Sequence, residues 1–268
     1  DLQGLDQAGS ARFVFSALPR KVAEAWEPRW VAKGRLVFTN AGARALGACR
    51  PVIPEVNPEA LPASAAPGIV FSPNCTAHGL ALALAPLRRF GLQEVLVTTL
   101  QATSGAGRAG VPELAGGDNV LPWIPEEEAR IESETAILLG GRFRISASCM
   151  RVPVRDGHTL SVAVRLRDRV EAGALVAAWR GFPGAGTPSA PERPLRYLEA
   201  PDRPQPRLDR DAAGGMQVSL GRLRRCAVLD WKFTALVHNL VRGAAGGLLL
   251  NAERMALQAE KPPAEAAR

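Results

Sequence analysis

The sequence has few of the residues on which metal sites, disulfide frameworks and base-stacking surfaces depend. It contains four cysteines without a CxxC pair, three histidines, and only six aromatic residues besides its eight phenylalanines. Widely spaced cysteines and the absence of a charged-then-apolar leader indicate a protein of the reducing cytoplasm. The longest apolar stretches, at 79–87 and 244–250, fall far short of the ~18 residues of a membrane-spanning helix. We therefore expect a cytoplasmic protein with no metal site and no membrane partner.

Positive charge is in excess but is not concentrated. The chain has 33 Lys+Arg against 26 Asp+Glu, a formal net charge of +7, and its basic residues occur singly or in pairs such as Arg88-Arg89. Proteins that bind nucleic acid cluster their cations and stack aromatic side chains on bases. The sequence therefore predicts no nucleic-acid partner, and a few anion-binding arginines in a small-molecule site are the favoured interpretation.

An apolar fraction of 47% over 268 residues predicts a folded α/β protein with a substantial core. Predicted strands lie at 11–17, 35–39, 68–72, 94–102, 144–154, 159–166 and 227–233. Predicted helices lie at 20–33, 75–90, 125–139, 170–179 and 238–258, with proline-rich extended segments at 49–67 and 201–210. Parallel βα units therefore begin the chain, and the two strands that flank Asp156-Gly157 are expected to form part of an antiparallel sheet.

The segment SPNCTA (72–77) places Cys75 at the start of a helix that directly follows a strand. Unpaired backbone N–H groups and the positive end of the helix dipole would lower the thiol pKa below its ordinary value of about 8.5, which suits a nucleophile. The alternative is a small apolar filler, because free cysteines are among the most frequently buried residues. The other three cysteines have no such setting.

A thiolate catalyst usually needs a base, and the chain offers His78, His158 and His238. His158 follows a turn and would point either into a cleft or into solvent, whereas His78, inside an apolar helix, is predicted to be structural. Arg151 lies seven residues before His158, an odd offset that would place the two on opposite faces of an uninterrupted strand. Only the intervening turn could bring both side chains to one site.

Six segments spread over nearly the whole chain occur in an order that is typical of one enzyme family. They are SPNCTA (72–77), TTLQATSGAG (98–107), DNVLPWIPEEEARIESET (118–135), ISASCMRVPVRDGHTLSV (145–162), PDRPQPRLDRD (201–211) and HNLVRGAAGGLLLNAE (238–253). Together they resemble aspartate-semialdehyde dehydrogenase, in its archaeal and fungal branch. The resemblance implies NADPH-dependent reductive dephosphorylation of 4-phospho-L-aspartate to L-aspartate 4-semialdehyde through a cysteine thioester, in lysine, threonine and methionine biosynthesis.

The resemblance assigns catalytic roles to three residues and substrate binding to a fourth. Cys75 takes the place of the nucleophile, His158 in the GH motif that of the acid/base, and Gln101 in the TLQ motif that of the group that orients the acyl substrate. Arg151, before VPV, matches the arginine that binds the substrate carboxylate, a role that suits a planar bidentate donor.

The resemblance also implies further substrate contacts. Glu127 and Arg130 match the residues that contact the substrate amine and phosphate, and their offset of three keeps both on one helix face. Arg130 stands where the family commonly has lysine. Three consecutive glutamates leave a one-residue slip to Glu128 open, and a solvated charged helix face is the alternative for the pair. Asn74 and Arg44 are expected to contact the substrate as well.

For the cofactor, the resemblance implies NADP contacts from Ser16 and Ala17 in FSALP, Ser104 and Gly105 in SGAG, and Asn239. The family's GxxGxxG turn, which cradles the NADP phosphates on a helix N-terminus, does not occur in this sequence. We therefore expect a truncated Rossmann-like parallel sheet with an inserted α+β catalytic and dimerisation domain.

The expected domains are residues 1–74 for the remainder of the NADP-binding domain, 75–235 for the catalytic and dimerisation domain, and 236–268 for a C-terminal helix that returns to the first. A homodimer or homotetramer is expected. Two alternatives remain open: a malonyl-CoA reductase-like enzyme, and a catalytically inert dimerising fragment that does not bind the cofactor.

Overall fold

The computed structural model of the chain describes residues 11–41 and 50–260, which form a three-stranded and a six-stranded sheet. The strands are β1 (Phe13–Ser16), β2 (Leu36–Thr39), β3 (Gly68–Phe71), β4 (Leu92–Gln101), β5 (Arg144–Arg151), β6 (His158–Leu166), β7 (Leu195–Leu198), β8 (Val218–Arg225) and β9 (Trp231–Val237). The α-helices are α1 (Arg20–Ala32), α2 (Cys75–Leu84), α3 (Glu127–Leu139), α4 (Ala172–Arg180), α5 (Pro206–Asp209) and α6 (Gly246–Glu260). No helix within these ranges is long and apolar enough to cross a membrane.

The three-stranded sheet is parallel, in the order β1-β2-β3, and α1 connects its first two strands. Leu36, Val37 and Phe38 of the central strand are completely buried, which is typical of parallel strands that are covered on both faces. The β-α-β unit predicted at the start of the chain is confirmed. All three strands end at the same edge, and β3 leads from this edge directly into α2.

The six-stranded sheet has the order β5-β4-β6-β9-β8-β7. β4 lies between β5 and β6, parallel to the first and antiparallel to the second, so the two strands that flank Asp156-Gly157 are not neighbours. The reason is the connection through α3, because a strand followed by a crossover helix returns parallel to its starting strand. The segment after β5 then crosses the end of β4, where the N–H of Val152 donates to the carbonyl oxygen of Gln101.

Several predicted boundaries are wrong. The helix predicted at 75–90 changes to 3₁₀ geometry after Leu84, because Pro86 has no N–H to continue the α-helical bonds. The strand predicted at 227–233 begins only at Trp231, after a turn. The helix predicted at 238–258 starts with a π-helical turn over Val241–Ala245 before α6. β7 and β8 lie where the sequence patterns predict no strand.

The central helix α2 is buried from Thr76 to Leu84 and packs against β8, β9 and α3. Gly79 makes this close approach feasible, because a Cβ at this position would lie 2.6 Å from Cγ1 of Val237 on β9. The position of α2, and with it that of Cys75 at its first turn, is therefore fixed by the core.

The C-terminal helix α6 packs on the parallel sheet. Leu248, Ala252 and Met255 of α6 form one hydrophobic cluster with Leu36 and Phe38 of β2. These residues follow the helical spacing of i, i+4 and i+7 on one face of α6. The end of the described chain thus returns to the sheet with which the chain begins.

Candidate active site

Asn74 places Cys75 at the N-terminus of α2. As the N-cap residue, its Oδ1 accepts hydrogen bonds from the N–H groups of Thr76 at 2.8 Å and Ala77 at 3.2 Å. An asparagine side chain in this position satisfies backbone donors that the helix cannot pair internally. Cys75 as a whole residue is partly exposed.

His158, the first residue of β6, lies directly against the sulfur. Its Nε2 is 3.3 Å from Sγ of Cys75, and its ring is completely buried, so the interpretation as a solvated turn histidine is wrong. Its Nδ1 accepts a hydrogen bond from the N–H of Ala102 at 3.0 Å. Because a backbone N–H can only donate, Nδ1 carries no proton, and the neutral ring has its proton on Nε2, facing Cys75.

Arg151, the last residue of β5, reaches the same place from the other side of β4. Its Nη1 donates a hydrogen bond to the carbonyl oxygen of Ala102 at 2.9 Å. β5 ends and β6 begins at one edge of the sheet, on either side of the end of β4. The odd offset between Arg151 and His158 is thus resolved by strand order, because the two residues belong to different strands that flank Ala102.

Gly105 lies against both of these side chains. A Cβ at this position would be 2.7 Å from Nη1 of Arg151 and 3.1 Å from Cε1 of His158. Any other residue here would displace the guanidinium or the imidazole, so the glycine is required by the close approach of the loop.

The electrostatics of the pair contradict one prediction. Burial, and after it the negative charge of Glu127, raise the pKa of Cys75 to about 12, so the helix N-terminus does not by itself ionise the thiol. Burial, and after it the nearby guanidinium of Arg151, lower the pKa of His158 to about 3. The resting site therefore contains a thiol and a neutral imidazole.

Glu127, Gln101 and Asn74 form a second group of contacts beside the sulfur. Oε1 of Glu127 accepts hydrogen bonds from Nε2 of Gln101 and from Nδ2 of Asn74, both at 3.0 Å. The structure thus brings together three residues that were predicted for the site from separate parts of the chain.

Glu128 points away from this group. Its carboxylate accepts a hydrogen bond from the N–H of Cys149 at 3.0 Å, and Glu132, one turn later, accepts one from the N–H of Ala147 at 2.9 Å. Both donors belong to β5, the edge strand of the sheet, whose outward N–H groups are thereby paired. The geometry favours Glu127 over Glu128 as the site residue.

Arg130 and Glu134 complete the α3 side of the site. Nε of Arg130 lies 3.0 Å from Oε1 of Glu134, whose Oε2 accepts a hydrogen bond from the N–H of Asn74 at 2.6 Å. Sequence reasoning missed Glu134. A signal was available, because positions 127, 130 and 134 share one helix face at spacings of three and four.

Two of the residues predicted to contact the cofactor, Ser104 and Asn239, are hydrogen-bonded to each other. Nδ2 of Asn239 donates to Oγ of Ser104 at 2.9 Å, and its Oδ1 accepts from the N–H of Gly157 at 2.8 Å. Asn239 therefore links the loop after β4 to the turn that precedes His158.

Ser16 and Ala17 lie at the carboxyl end of β1, at the edge of the parallel sheet. Ser16 is buried, and its Oγ has no hydrogen-bond partner within the described ranges. Thr39 and Ser72 stand at the ends of the neighbouring strands, so hydroxyl groups follow all three. Carboxyl edges of parallel sheets are where dinucleotides bind, and an orphaned buried hydroxyl there fits a polar ligand.

The remaining predicted residues divide into one that is structural and one that cannot be placed. His78 is completely buried, and its Nε2 accepts a hydrogen bond from Nε of Arg242 at 3.1 Å, in agreement with a structural role. Arg242 also pairs with Glu55 at 2.8 Å. Arg44 lies outside the described residues. Within 11–41 and 50–260, no group of three or more side chains could hold a metal ion.

The chain is similar to proteins of known function. A family model described as the semialdehyde dehydrogenase dimerisation domain matches residues 84–242. Aspartate-semialdehyde dehydrogenase of Archaeoglobus fulgidus is 45% identical over 91% of this chain and 77% of its own length. The enzyme of Cryptococcus neoformans is 40% identical over 94% of this chain and 77% of its own.

Among solved structures, the crystal structure of aspartate semialdehyde dehydrogenase with NADP from Candida albicans matches with a TM-score of 0.81 and 34% identity. The match covers 92% of this chain and 78% of that one.

Proposed function

The chain belongs to the aspartate-semialdehyde dehydrogenase family, and from this premise we propose that its candidate site performs the NADPH-dependent reductive dephosphorylation of 4-phospho-L-aspartate to L-aspartate 4-semialdehyde. The observation that carries the proposal is the approach of Sγ of Cys75 to Nε2 of His158 at 3.3 Å. Two residues that would bind the substrate lie nearby. Arg151 ends β5, and Glu127 of α3 contacts Gln101 at the end of the neighbouring strand β4. The reaction serves the synthesis of lysine, threonine and methionine, in the cytoplasm.

Three charged side chains would recognise the substrate. Arg151 binds its α-carboxylate, Glu127 its ammonium group, and Arg130 its phosphate. Asn74 and Gln101, both bonded to Glu127, orient the carboxylate of Glu127 and the acyl group. The amine contact at Glu127 favours an amino-acid substrate over malonyl-CoA, which has no ammonium group.

In the acyl-transfer step, the sulfur of Cys75 attacks the acyl carbon. A C–S bond forms, the C–O bond to phosphate breaks, and phosphate leaves with the electron pair of that bond and the proton of the thiol. The Nε2–H of His158 donates a hydrogen bond to the carbonyl oxygen as negative charge develops on it. The product is a thioester on Cys75.

NADPH, when bound, supplies the hydride that brings the thioester to the oxidation level of the aldehyde. Ser16, Ala17, Ser104, Gly105 and Asn239 would hold the cofactor, and the unpartnered hydroxyl of Ser16 fits this assignment. The Nε2–H of His158 donates a hydrogen bond to the substrate oxygen, which carries negative charge after hydride addition. The carbonyl reforms as the C–S bond breaks, and the thiolate of Cys75 that leaves takes a proton from solvent.

We further propose that the chain forms a homodimer through the open face of β4, β5 and β6. Nine positions of this face are uncharged: Leu96, Thr98, Leu100, Ser146, Ser148, Met150, Thr159, Ser161 and Ala163. The charged residues of the face, Glu94 with Arg144 and Arg165, are paired with each other at one end of it. Leu96 is 48% and Leu100 39% exposed, which is high for large apolar residues in the middle of a sheet. A second copy related by a twofold axis would cover both.

We also propose that the domains are divided at residues 74/75 and 235/236, as the sequence predicts. The first boundary falls between the parallel sheet and α2, and the last segment contains α6, which packs on β2.

Phosphate-dependent reduction of NADP by L-aspartate 4-semialdehyde tests the function, with Cys75→Ala as the control. We expect activity in the native protein and none above background in the variant. Equal rates in both would reject the proposal, and a higher rate with malonyl-CoA in the reductive direction would favour the alternative substrate. Micromolar binding of NADPH would exclude the inert dimerising fragment.

A further inference from the structure

Glu134, a residue to which the proposed mechanism assigns no role, joins the turn before Cys75 to Arg130. Its Oε2 accepts the N–H of Asn74 at 2.6 Å, and its Oε1 pairs with Nε of Arg130 at 3.0 Å. The side chain is only 10% exposed, so both oxygens of a largely buried carboxylate are engaged. The carboxylate of Glu134 therefore contacts both Asn74, the residue before the nucleophile, and Arg130, whose guanidinium would bind phosphate.

Arg130 can still bind an anion while it is paired with Glu134. The pairing uses Nε of Arg130, whereas a phosphate can be bound by the terminal Nη groups of the guanidinium. The Arg130 side chain remains 26% exposed. Since Glu134 is itself fixed by a main-chain donor one residue before Cys75, it sets the direction of the guanidinium relative to the sulfur.

We propose that Glu134 is a positioning residue for the leaving phosphate, which orients the guanidinium of Arg130 relative to Cys75. The inference rests on the proposed function, since it needs a phosphate that departs on the α3 side of the sulfur. Glu134 acts through Arg130 and through the turn at Asn74, rather than by contact with the substrate. A free arginine side chain would have to be ordered each time phosphate binds, at a cost in side-chain entropy.

The same helix supplies a matched control. Glu132 is also a glutamate of α3 with its carboxylate on a backbone N–H, but its partner is Ala147 on the edge strand β5. Glu132→Gln and Glu134→Gln thus each remove one negative charge from one helix, at positions only two residues apart. Only the second change separates a carboxylate from Arg130.

The experiment measures the Michaelis constants for inorganic phosphate and for the semialdehyde separately, in the direction that reduces NADP. For Glu134→Gln we expect the constant for phosphate to rise about tenfold, with that for the semialdehyde within about twofold of the native value, because only the phosphate contact loses a charge-assisted orientation. Glu132→Gln is expected to change neither. In the background of Arg130→Ala, Glu134→Gln should add no further change.

Unchanged phosphate dependence in Glu134→Gln, or an equal rise of both constants, would overturn the inference while leaving the proposed function intact. A native protein without phosphate-dependent activity would overturn both. If Glu134→Gln does not fold, as judged by circular dichroism, Glu134→Asp replaces it. That variant keeps the charge on a shorter side chain, and it must then show the same selective rise in the phosphate constant relative to Glu132→Asp.

Discussion

At the scale of single residues, Cys75 and His158 lie 3.3 Å apart and both are neutral at rest. A helix N-terminus alone would favour a thiolate, but burial and the carboxylate of Glu127 outweigh it and raise the pKa of Cys75. A substrate ammonium group paired with Glu127 would cancel this carboxylate's charge. The pKa of Cys75 would then fall when the correct substrate arrives, while burial, the larger cause of its rise, remains.

Replacing Glu127 with glutamine should therefore make the free thiol more reactive. The variant loses the charge that helps to raise the pKa of Cys75 while keeping an amide of the same shape. Each unit by which the pKa falls increases the thiolate fraction about tenfold. The measurement is the rate at which iodoacetamide modifies Cys75 at pH 8, read from the labelled peptide. Glu128→Gln is the control, and a Glu127→Gln rate no higher than native would contradict the expectation.

His158 should make the stability of the fold sensitive to acid. Its pKa is lowered to about 3 in the folded protein, from an ordinary value of about 6.5, so the unfolded chain binds the extra proton between these limits. The free energy of unfolding should thus fall as the pH drops below about 6.5, by at most about 1.4 kcal/mol per pH unit for this group. Urea unfolding at pH 7, 6 and 5 should show a shallower slope for His158→Gln, and identical slopes would exclude this effect.

Motif spacing predicts most of the candidate site but not its supporting contacts. Cys75, His158 and Arg151 stand out because their residue types and local settings carry chemistry. Glu134 does not stand out, because α3 contains several other glutamates and nothing in the local sequence distinguishes this one. The lowered thiol pKa was predicted wrongly, since burial and the approach of Glu127 from another element are invisible in the segment around Cys75.

At the scale of elements, the π-helical turn Val241–Ala245 packs closely against Cys75. A Cβ at Gly243 would lie 2.7 Å from Cβ of Cys75. Its neighbour Arg242 is completely buried, pairs with Glu55 at 2.8 Å, and donates to His78 of α2 at 3.1 Å. One buried ion pair thus connects the turn, α2 and the segment that precedes β3.

Glu55→Ala should destabilise the protein by about 3–5 kcal/mol, because it leaves the charge of Arg242 buried without its partner. Thermal or urea unfolding measures the loss. The double variant Glu55→Ala with Arg242→Met should recover a large part of it, since no uncompensated charge remains. A single variant as stable as the native protein would show that the pair contributes nothing.

Hydrophobic periodicity predicts the early elements well and the strand order poorly. β1 to β3 and α1 follow from short β-branched and aromatic runs around one amphipathic helix. β8 was missed because it ends in Arg222, Leu223, Arg224 and Arg225, a pattern of exposed cations. The neighbour of β5 could not be predicted either, since pairing depends on the crossover through α3 and not on the strand's own residues.

At the scale of the whole molecule, the proposed dimer rests on the exposed leucines in the uncharged part of the face of β4, β5 and β6. Leu96→Glu would place a charge in the middle of the proposed twofold interface and should convert the dimer to a monomer. Sedimentation velocity at micromolar concentration measures the change, and Ile137→Glu, on the exposed side of α3, is the control. A native protein that sediments as a monomer would contradict the proposed interface, and a tetramer would require a further one.

The two backbone hydrogen bonds of Ala102 have a consequence for variation at that position. Its N–H and its carbonyl oxygen, which belong to two successive peptide groups, hold the imidazole of His158 and the guanidinium of Arg151. Neither bond involves the methyl group, so glycine at this buried position would keep both contacts, because its amide hydrogen remains. Proline would lose the first: the φ of −65° would accept its ring, yet the hydrogen that selects the tautomer would be gone.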